Sequence, residues 1–353
     1  MTRVDVRFAR TRAGRAVAWA AAGHGPYLVR AAHWMTHVEH DVGSPIWGPW
    51  IERLGRTFTM IRYDALGTGA SDPTPDPPSV EADLDALTAV VDALDAPRVW
   101  LLGPSHGASA AIGFAARHPE RVEGLVILGG FARGIAARDD AKPEALEYHE
   151  ALARLVELGW GKRNPSLRAL FGARMAPGAT KAQADAIQEL QRRSCPPARA
   201  AAQLRAMAEV DVGVELARVR APTLVLHARD DQAVPFEEGR RLAAAIEGAR
   251  LVALESQNHL PLEGEPAFET AFAAIEAFAA HAGAVAPPHL TPKEAAIAEL
   301  LAEGLDNPQI AARLGSAEKT VRNAVSRIYE RLGVEGRPQA TVRLRAAGFG
   351  AAR

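Results

Sequence analysis

The sequence predicts an α/β body on a mostly parallel sheet, with a helical cap inserted into it and a small all-α domain after it. Three observations carry this. Over the first 130 residues, short apolar runs alternate with amphipathic segments, the pattern of strands joined by helices on both faces of a sheet. From about residue 132 to 215 that rhythm gives way to Arg- and Ala-rich helical periodicity with no convincing strand, and then it returns. Beyond a Pro-Pro pair at residues 287 and 288, everything reads as helix.

The elements follow in order. Val4–Arg10 and Ala16–Ala22 read as strands around the Ala13-Gly14 turn, Tyr27–Ala32 is a short apolar run, and Thr57–Tyr63 alternates up to Asp64. Ser79–Leu94 has helical spacing through Val80, Leu84, Leu87, Val90, Val91 and Leu94. Val99–Leu102 and Leu125–Leu128 are continuous apolar runs of the kind buried on both faces, separated by the helical run Ala108–Arg117. After the cap come the strand Thr223–His227, the helix Pro235–Ile246, the strand Arg250–Leu254 and the helix Pro266–Ala280. Small residues and two prolines without periodicity make residues 281–289 a linker. The expected organisation is therefore a body over 1–280 with its cap at about 132–215, and a helical domain over 290–353.

Composition narrows the function. The chain has 353 residues, 48 % of them hydrophobic, enough for a sizeable core and a second small domain. Its one cysteine, Cys195, excludes an internal disulfide and fits a reducing cytoplasm. There is no run of about 20 apolar residues to span a membrane, and the charged, alternating start Met1–Arg15 does not read as a signal peptide. Net charge is −1, unevenly spread: from residue 288 onward 10 Lys/Arg face 7 Asp/Glu, whereas the remainder carries 31 against 35. A basic tail on an acidic body hints at nucleic acid as the partner of the tail.

Four helices can be placed in that tail. Thr291, Pro292 and Glu294 form a capping box with proline in the first turn, and the helix runs through Ile297, Leu300 and Leu301 to a stop at Gly304. The second starts near Asn307-Pro308 and ends at Gly315. The third, with Ser316 as its expected N-cap, has the apolar stripe Val321, Val325, Ile328 and Leu332 and a stop at Gly333; the fourth is Pro338–Ala347. Two helices joined by a short Gly turn, the second of them basic, is the helix-turn-helix arrangement, and its third helix would lie in the major groove. There it would offer Lys319, Thr320, Arg322, Asn323 and Arg327 to phosphates and base edges.

Leu290-Thr291-Pro292, Glu294, Ala302-Glu303-Gly304, Asn307, Ile310-Ala311, Leu314-Gly315, Lys319 through Asn323, Ile328 and Leu332-Gly333-Val334 together resemble the LuxR-type DNA-binding domain. The likeness implies binding to double-stranded DNA as a homodimer, with the fourth helix in the dimer contact and RNA polymerase as a further partner. Ala324 stands where that family usually has His, a change expected to weaken one backbone contact.

In the body, Gly103-Pro104-Ser105-His106-Gly107 lies between a strand and a helix, the setting in which Gly-x-Ser-x-Gly lifts a serine hydroxyl off a sheet. Glycines flank the serine because the turn is too tight for side chains, and the N–H of His106 at the helix start can donate to an oxyanion. A serine nucleophile needs a base and an orienting acid. Two strand ends downstream supply them: Asp231 before Pro235, with Asp230 as the fallback, and His259 after Ser256-Gln257-Asn258. These pieces resemble the α/β-hydrolase family over about residues 3–280, together with Tyr63-Asp64, Gly67, Gly69 and Ser71-Asp72, and with Ala116 through Val122. The resemblance implies Ser105 as nucleophile, His259 as general base, Asp231 as orienting acid and the helical insertion as a cap over the pocket.

Two departures stand out. The family commonly has His-Gly after the third strand, and here His33 is followed by Trp34, so the second oxyanion donor is expected at the N–H of Trp34 or Met35. Leu66 stands where an Arg is usual, which bears on loop packing. Trp34, Trp47, Trp50 and Trp160 read as packing anchors, with Trp34 and Trp160 as further candidates for the pocket wall. Trp160-Gly161, Asn164-Pro165 and Arg168 through Phe171 resemble a stretch found in α/β-hydrolases fused to regulatory output domains. His33, His37 and His40 would suit a metal only on one helical face; packing or pocket lining is the simpler role, and no cofactor or metal is called for. Two readings remain open. One is a DNA-binding regulator whose body senses, with or without hydrolysis, a small ester, lactone or acyl ligand. The other is an esterase-like enzyme that the helical domain localises or autoregulates.

Overall fold

A computed structural model describes the chain except for residues 1–3, 163–164, 283–289, 333, 335, 347–348 and 351–353. Most of the expected linker, the stop at Gly333 and the cap residue Asn164 lie outside the described residues. The chain forms two compact units, Met1–Ile275 and Glu276–Arg353.

The first unit is an eight-stranded sheet in the order β1-β2-β4-β3-β5-β6-β7-β8. The strands are β1 Arg7–Arg10, β2 Ala16–Gly23, β3 Tyr27–Arg30, β4 Thr59–Tyr63, β5 Val99–Pro104, β6 Val122–Leu128, β7 Thr223–Ala228 and β8 Arg250–Leu254. β1 and β2 pair antiparallel with their neighbours, and the other pairings are parallel. The central strands are covered on both faces, so β5 and β7 are buried along their whole length, as their uninterrupted apolar runs require.

On one face, α2 (Val80–Asp92) begins at Ser79, whose hydroxyl accepts from Ala82 N–H at 3.2 Å, and buries Leu84, Leu87, Val90 and Val91. Beside it, α3 (Gly107–Arg117) is buried from Gly107 to Ala115. Their side chains meet Val29, Ile61, Leu101, Ile127 and Val225 of the sheet in one core. A further helix, α1 (Gly48–Leu54), is only seven residues long and carries too few turns to show periodicity in the sequence. Its anchor is Trp50, whose indole N–H donates to Pro261 O at 3.0 Å and whose ring packs on Phe268 and Phe272.

The cap is four helices: α4 Pro143–Gly159, α5 Pro165–Met175, α6 Lys181–Ser194 and α7 Pro197–Glu209. A capping box of Thr180 and Gln183 starts α6. The chain then returns to β7, forms α8 (Phe236–Ala245), completes the sheet with β8 and continues into α9 (Pro266–Ala282).

The second unit holds α10 Pro292–Ala302, α11 Asn307–Leu314, α12 Glu318–Leu332 and α13 Arg337–Ala346. Capping boxes open α10 (Thr291 with Glu294) and α11 (Asp306 with Gln309), and Gly315 closes α11 in the left-handed region at φ 60°. Ser316 does not cap α12. Its N–H instead donates to Ala311 O at 3.0 Å as part of the turn, and the helix begins two residues later. Ile297, Leu301, Ile310, Val321, Ile328 and Leu344 form the core.

Candidate active site and nucleic-acid interface

The site begins where β5 turns sharply into α3. Ser105 sits in that turn at φ 50°, the one non-glycine residue with positive φ among the described residues. Its N–H is held by Leu128 O at 2.8 Å. The flanking glycines are required by space: a Cβ on Gly103 would lie 2.8 Å from Ala108 Cα, and one on Gly107 would lie 2.9 Å from both Ala31 O and Ala32 O. A side chain kept in the left-handed region costs about 1–3 kcal/mol, which the surrounding packing must offset. The result is a hydroxyl at the carboxyl end of the sheet, where open α/β sheets place their ligands.

The end of β7 carries Asp231. Its Oδ1 accepts from the N–H groups of Ala233 (2.8 Å) and Val234 (3.0 Å), and its Oδ2 accepts from His259 Nδ1 at 2.7 Å. Burial alone would raise the Asp231 carboxyl. The His259 charge and hydrogen bond, with the two backbone donors, outweigh that and hold it below the usual carboxylate range. Asp230, by contrast, is exposed. The contact to Asp231 fixes Nδ1 of His259 as the protonated nitrogen and leaves Nε2 as the basic one.

Several supporting residues escaped the sequence analysis. His227 Nε2 donates to Val234 O at 3.0 Å and lies 3.5 Å from Asp231 Oδ2, bracing the acid loop from below. Glu265 accepts from Ser256 Oγ (2.7 Å) and Asn258 Nδ2 (3.2 Å), bracing the loop that holds His259. His259 N–H itself donates to Met175 O of the cap at 3.0 Å. None of these belongs to a short motif; the His227 and Glu265 pairings stay within their own loops, and the Met175 contact joins distant parts of the chain.

Ser105, Asp231 and His259 line one cavity of about 350 Å³ under the cap, together with Trp34 and Met35. The His106 side chain points elsewhere, with Nε2 2.8 Å from Asp83 of α2. What His106 can offer an oxyanion is its N–H at the start of α3, one of the groups that helix geometry leaves without an intrahelical acceptor. Trp34 explains its own departure from the family pattern. Its φ is not positive, so no glycine is needed there, and its indole docks the cap. The indole N–H donates to Ala200 O of α7 at 3.0 Å, and the ring packs on Trp160 (centroids 4.9 Å apart) and Phe171 (6.3 Å). Trp160 lies behind Trp34 and does not line the cavity, because its N–H is drawn to Cys195 O. Leu66 packs against the core, and its carbonyl accepts from Arg199 of α7 at 2.8 Å.

The loop that carries Trp34 rests on buried charges. Arg30 and Asp41 form a fully buried ion pair, and the Arg30 guanidinium lies 4.2 Å above the Trp47 ring. Trp47 in turn stacks on His33 at 5.0 Å. His33 lines the cavity, and burial, then the Arg30 charge, hold its imidazole well below the ordinary histidine range, so it is neutral. His37 and His40 pack edge to face with centroids 6.4 Å apart, outside that lining. Among the described residues no group of three His, Cys, Asp or Glu side chains is arranged to hold a metal. Burial pushes the Cys195 thiol up to about 11, the setting of a packing residue.

In the second unit, Lys319, Thr320, Arg322, Asn323 and Arg327 all lie exposed on α12, opposite its buried stripe. Arg322 pairs with Glu318 on its own helix (2.7 Å), and Arg327 pairs with Glu294 of the α10 capping box (3.1 Å). Ala324 is buried in the core, so the change from the family's usual residue alters packing and not a backbone contact on the outer face. Among the described residues no helix is long and apolar enough to cross a membrane.

Comparison with known proteins agrees with both halves. The family described as alpha/beta hydrolase fold matches residues 41–266, and that of bacterial regulatory proteins, luxR family, matches residues 288–344. The 2-hydroxy-6-oxononadienedioate/2-hydroxy-6-oxononatrienedioate hydrolases of Paraburkholderia xenovorans and Cupriavidus pinatubonensis are 30 % and 31 % identical over 200 residues, 55 % of this chain and 67 % of each relative. A hydrolase from Pseudomonas aeruginosa superposes with a TM-score of 0.63 at 25 % identity, covering 78 % of this chain and 98 % of that one.

Proposed function

Because the chain belongs to the alpha/beta hydrolase fold family and carries a luxR-family regulatory domain at its C-terminal end, we propose that it is a transcriptional regulator whose hydrolase body senses a small ester, lactone or other acyl compound and attacks its carbonyl. DNA is bound by α11 and α12 in a homodimer, with α13 in the dimer contact. The observation that carries the reading is the His259 Nδ1–Asp231 Oδ2 contact of 2.7 Å on the same cavity as an elbow serine, in a chain that also holds a DNA-binding module.

In this reading Ser105 Oγ adds to the ligand carbonyl as its proton passes to His259 Nε2. Asp231 stabilises the imidazolium that results. The N–H of His106 and that of Trp34 or Met35 hold the oxyanion. Collapse expels the leaving alkoxide, which takes the proton from His259, and water repeats the sequence to free the acid. Ligand changes DNA affinity only to the extent that it favours one arrangement of the protein over another. The test is fluorophosphonate labelling of the full chain together with a mobility shift. Labelling that is lost in Ser105→Ala, and DNA retarded at low salt, are expected. An unlabelled wild type removes the chemistry, and DNA left free at low salt removes the regulator.

A second reading, enzyme first, is favoured by the completeness of the acid–base pair. It predicts turnover of p-nitrophenyl esters, lost in Ser105→Ala and His259→Ala, with DNA affinity indifferent to that turnover.

A further inference from the structure

The cap places in the cavity a positive charge that no carboxylate among the described residues matches. Arg174, in the last turn of α5, lines the cavity with Ser105 and His259. One Nη donates to Ala233 O at 3.1 Å, and the guanidinium sits 5.9 Å from the centre of the Tyr148 ring. Among the described residues no carboxylate pairs with it. The other arginine of the lining, Arg138, is already served: its Nε donates to Arg133 O at 3.0 Å and lies 3.5 Å from the Glu238 carboxylate. The one acid of the lining, Asp231, is committed to His259 and to two backbone donors. The rest of the wall is mainly apolar, including Phe131, Ile187, Leu190 and Leu204.

We propose that this cavity takes an acyl compound bearing a carboxylate, and that Arg174 recognises the carboxylate. The proposal rests on the reading of the cavity as the ligand site. A guanidinium is a planar fork of donors that fits a carboxylate with two parallel hydrogen bonds, and the fit is strongest where water is excluded. An arginine held only by a backbone carbonyl and an aromatic face keeps donors free for that purpose. Its position also sets the register of the ligand. Arg174 adjoins Met175, whose carbonyl receives the His259 N–H at 3.0 Å, and it grips Ala233, two residues after Asp231. A carboxylate seated on Arg174 is thereby placed relative to both the base and the acid, and it ties the cap to the body while the acyl carbonyl faces Ser105.

The full chain is assayed with two p-nitrophenyl esters of similar length, the mono-ester of glutarate and the neutral pentanoate. Wild type is expected to favour the glutarate ester in kcat/KM by roughly tenfold or more. Arg174→Gln, which removes the charge, brings the ratio close to one, and Arg174→Lys restores part of it. In parallel, adipate is expected to raise the melting temperature of wild type and of Ser105→Ala, and not that of Arg174→Gln. Equal kcat/KM for the two esters with no effect of adipate overturns the carboxylate site and leaves the hydrolase reading standing. A preference that survives Arg174→Gln overturns the role of Arg174. If neither ester is cleaved but adipate stabilises through Arg174, the carboxylate site stands and the hydrolysis fails. If neither ester is cleaved and adipate is inert, both fail.

Discussion

Replacing Trp34 by Gly would restore the residue that the hydrolase resemblance expects after His33, and it should damage this protein. Trp34 is 8 % exposed, gives its indole N–H to Ala200 O at 3.0 Å, and packs on Trp160 and Phe171. Removing a buried aromatic side chain costs about 3–5 kcal/mol, and the freer glycine backbone adds about 0.5–1 kcal/mol. For a unit of this size, about 2–4 °C per kcal/mol makes the expected loss in melting temperature about 7–24 °C. Thermal melts followed by far-UV circular dichroism on wild type, Trp34→Gly and Trp34→Phe read this directly. Trp34→Phe should fall between the other two, because it keeps a ring and loses the hydrogen bond. A Trp34→Gly protein within about 2 °C of wild type, smaller than the shift expected from 1 kcal/mol, or more stable than it, would refute the account of Trp34 as the anchor of the cap.

Three further outcomes are expected. Asp231→Asn should slow fluorophosphonate labelling of Ser105 by about 10²–10⁴-fold, because the imidazole then loses its orienting carboxylate, whereas Asp230→Asn should not; the reverse pattern would reassign the acid. Burial and the Arg30 charge lower the His33 imidazole in the folded state, so below its ordinary value of about 6.5 the unfolded chain takes up a proton that the folded chain refuses, and stability falls as pH falls. His33→Asn should therefore lose less melting temperature than wild type between about pH 7 and pH 5.5, and equal losses would argue against a buried neutral imidazole. On DNA, Lys319→Ala should reduce the steepness of log K against log salt by about 0.9 where the side chain meets a phosphate, and Arg322→Ala should reduce it less, since that guanidinium is already paired with Glu318. Arg327→Ala should also change it less, since that guanidinium is already paired with Glu294; a larger effect at Arg327 would contradict this.

Much of the fold is legible in the residues because its signals are local. The central strands are short apolar runs, β1 (Arg-Phe-Ala-Arg) shows instead as alternation, and the glycines of Gly103-Pro104-Ser105-His106-Gly107 mark the turn into α3. Asp306 and Gln309 carry the same capping code as Thr291 and Glu294, so the start of α11 is also written locally. What is not legible depends on distance along the chain. The contact of Trp34 with Ala200 bridges 166 positions, and nothing near residue 34 says that a bulky ring replaces glycine because the cap arrives there. Arg174 is one of many arginines in a helical stretch until α5 is seen closing on Ala233. Ala324, three residues after Val321 and four before Ile328, falls on the apolar stripe of α12 and is buried with it.

The claim that joins the two units is that what occupies the cavity alters DNA binding, and one measurement addresses it directly. Full-length protein is titrated onto DNA from its own upstream region, once untreated and once stoichiometrically phosphonylated on Ser105, at a fixed moderate salt concentration. The adduct stands in for a bound acyl ligand. The account predicts that the two dissociation constants differ by about 5–150-fold, the usual range of coupling between two sites. Identical constants for protein carrying the adduct and protein without it would contradict it.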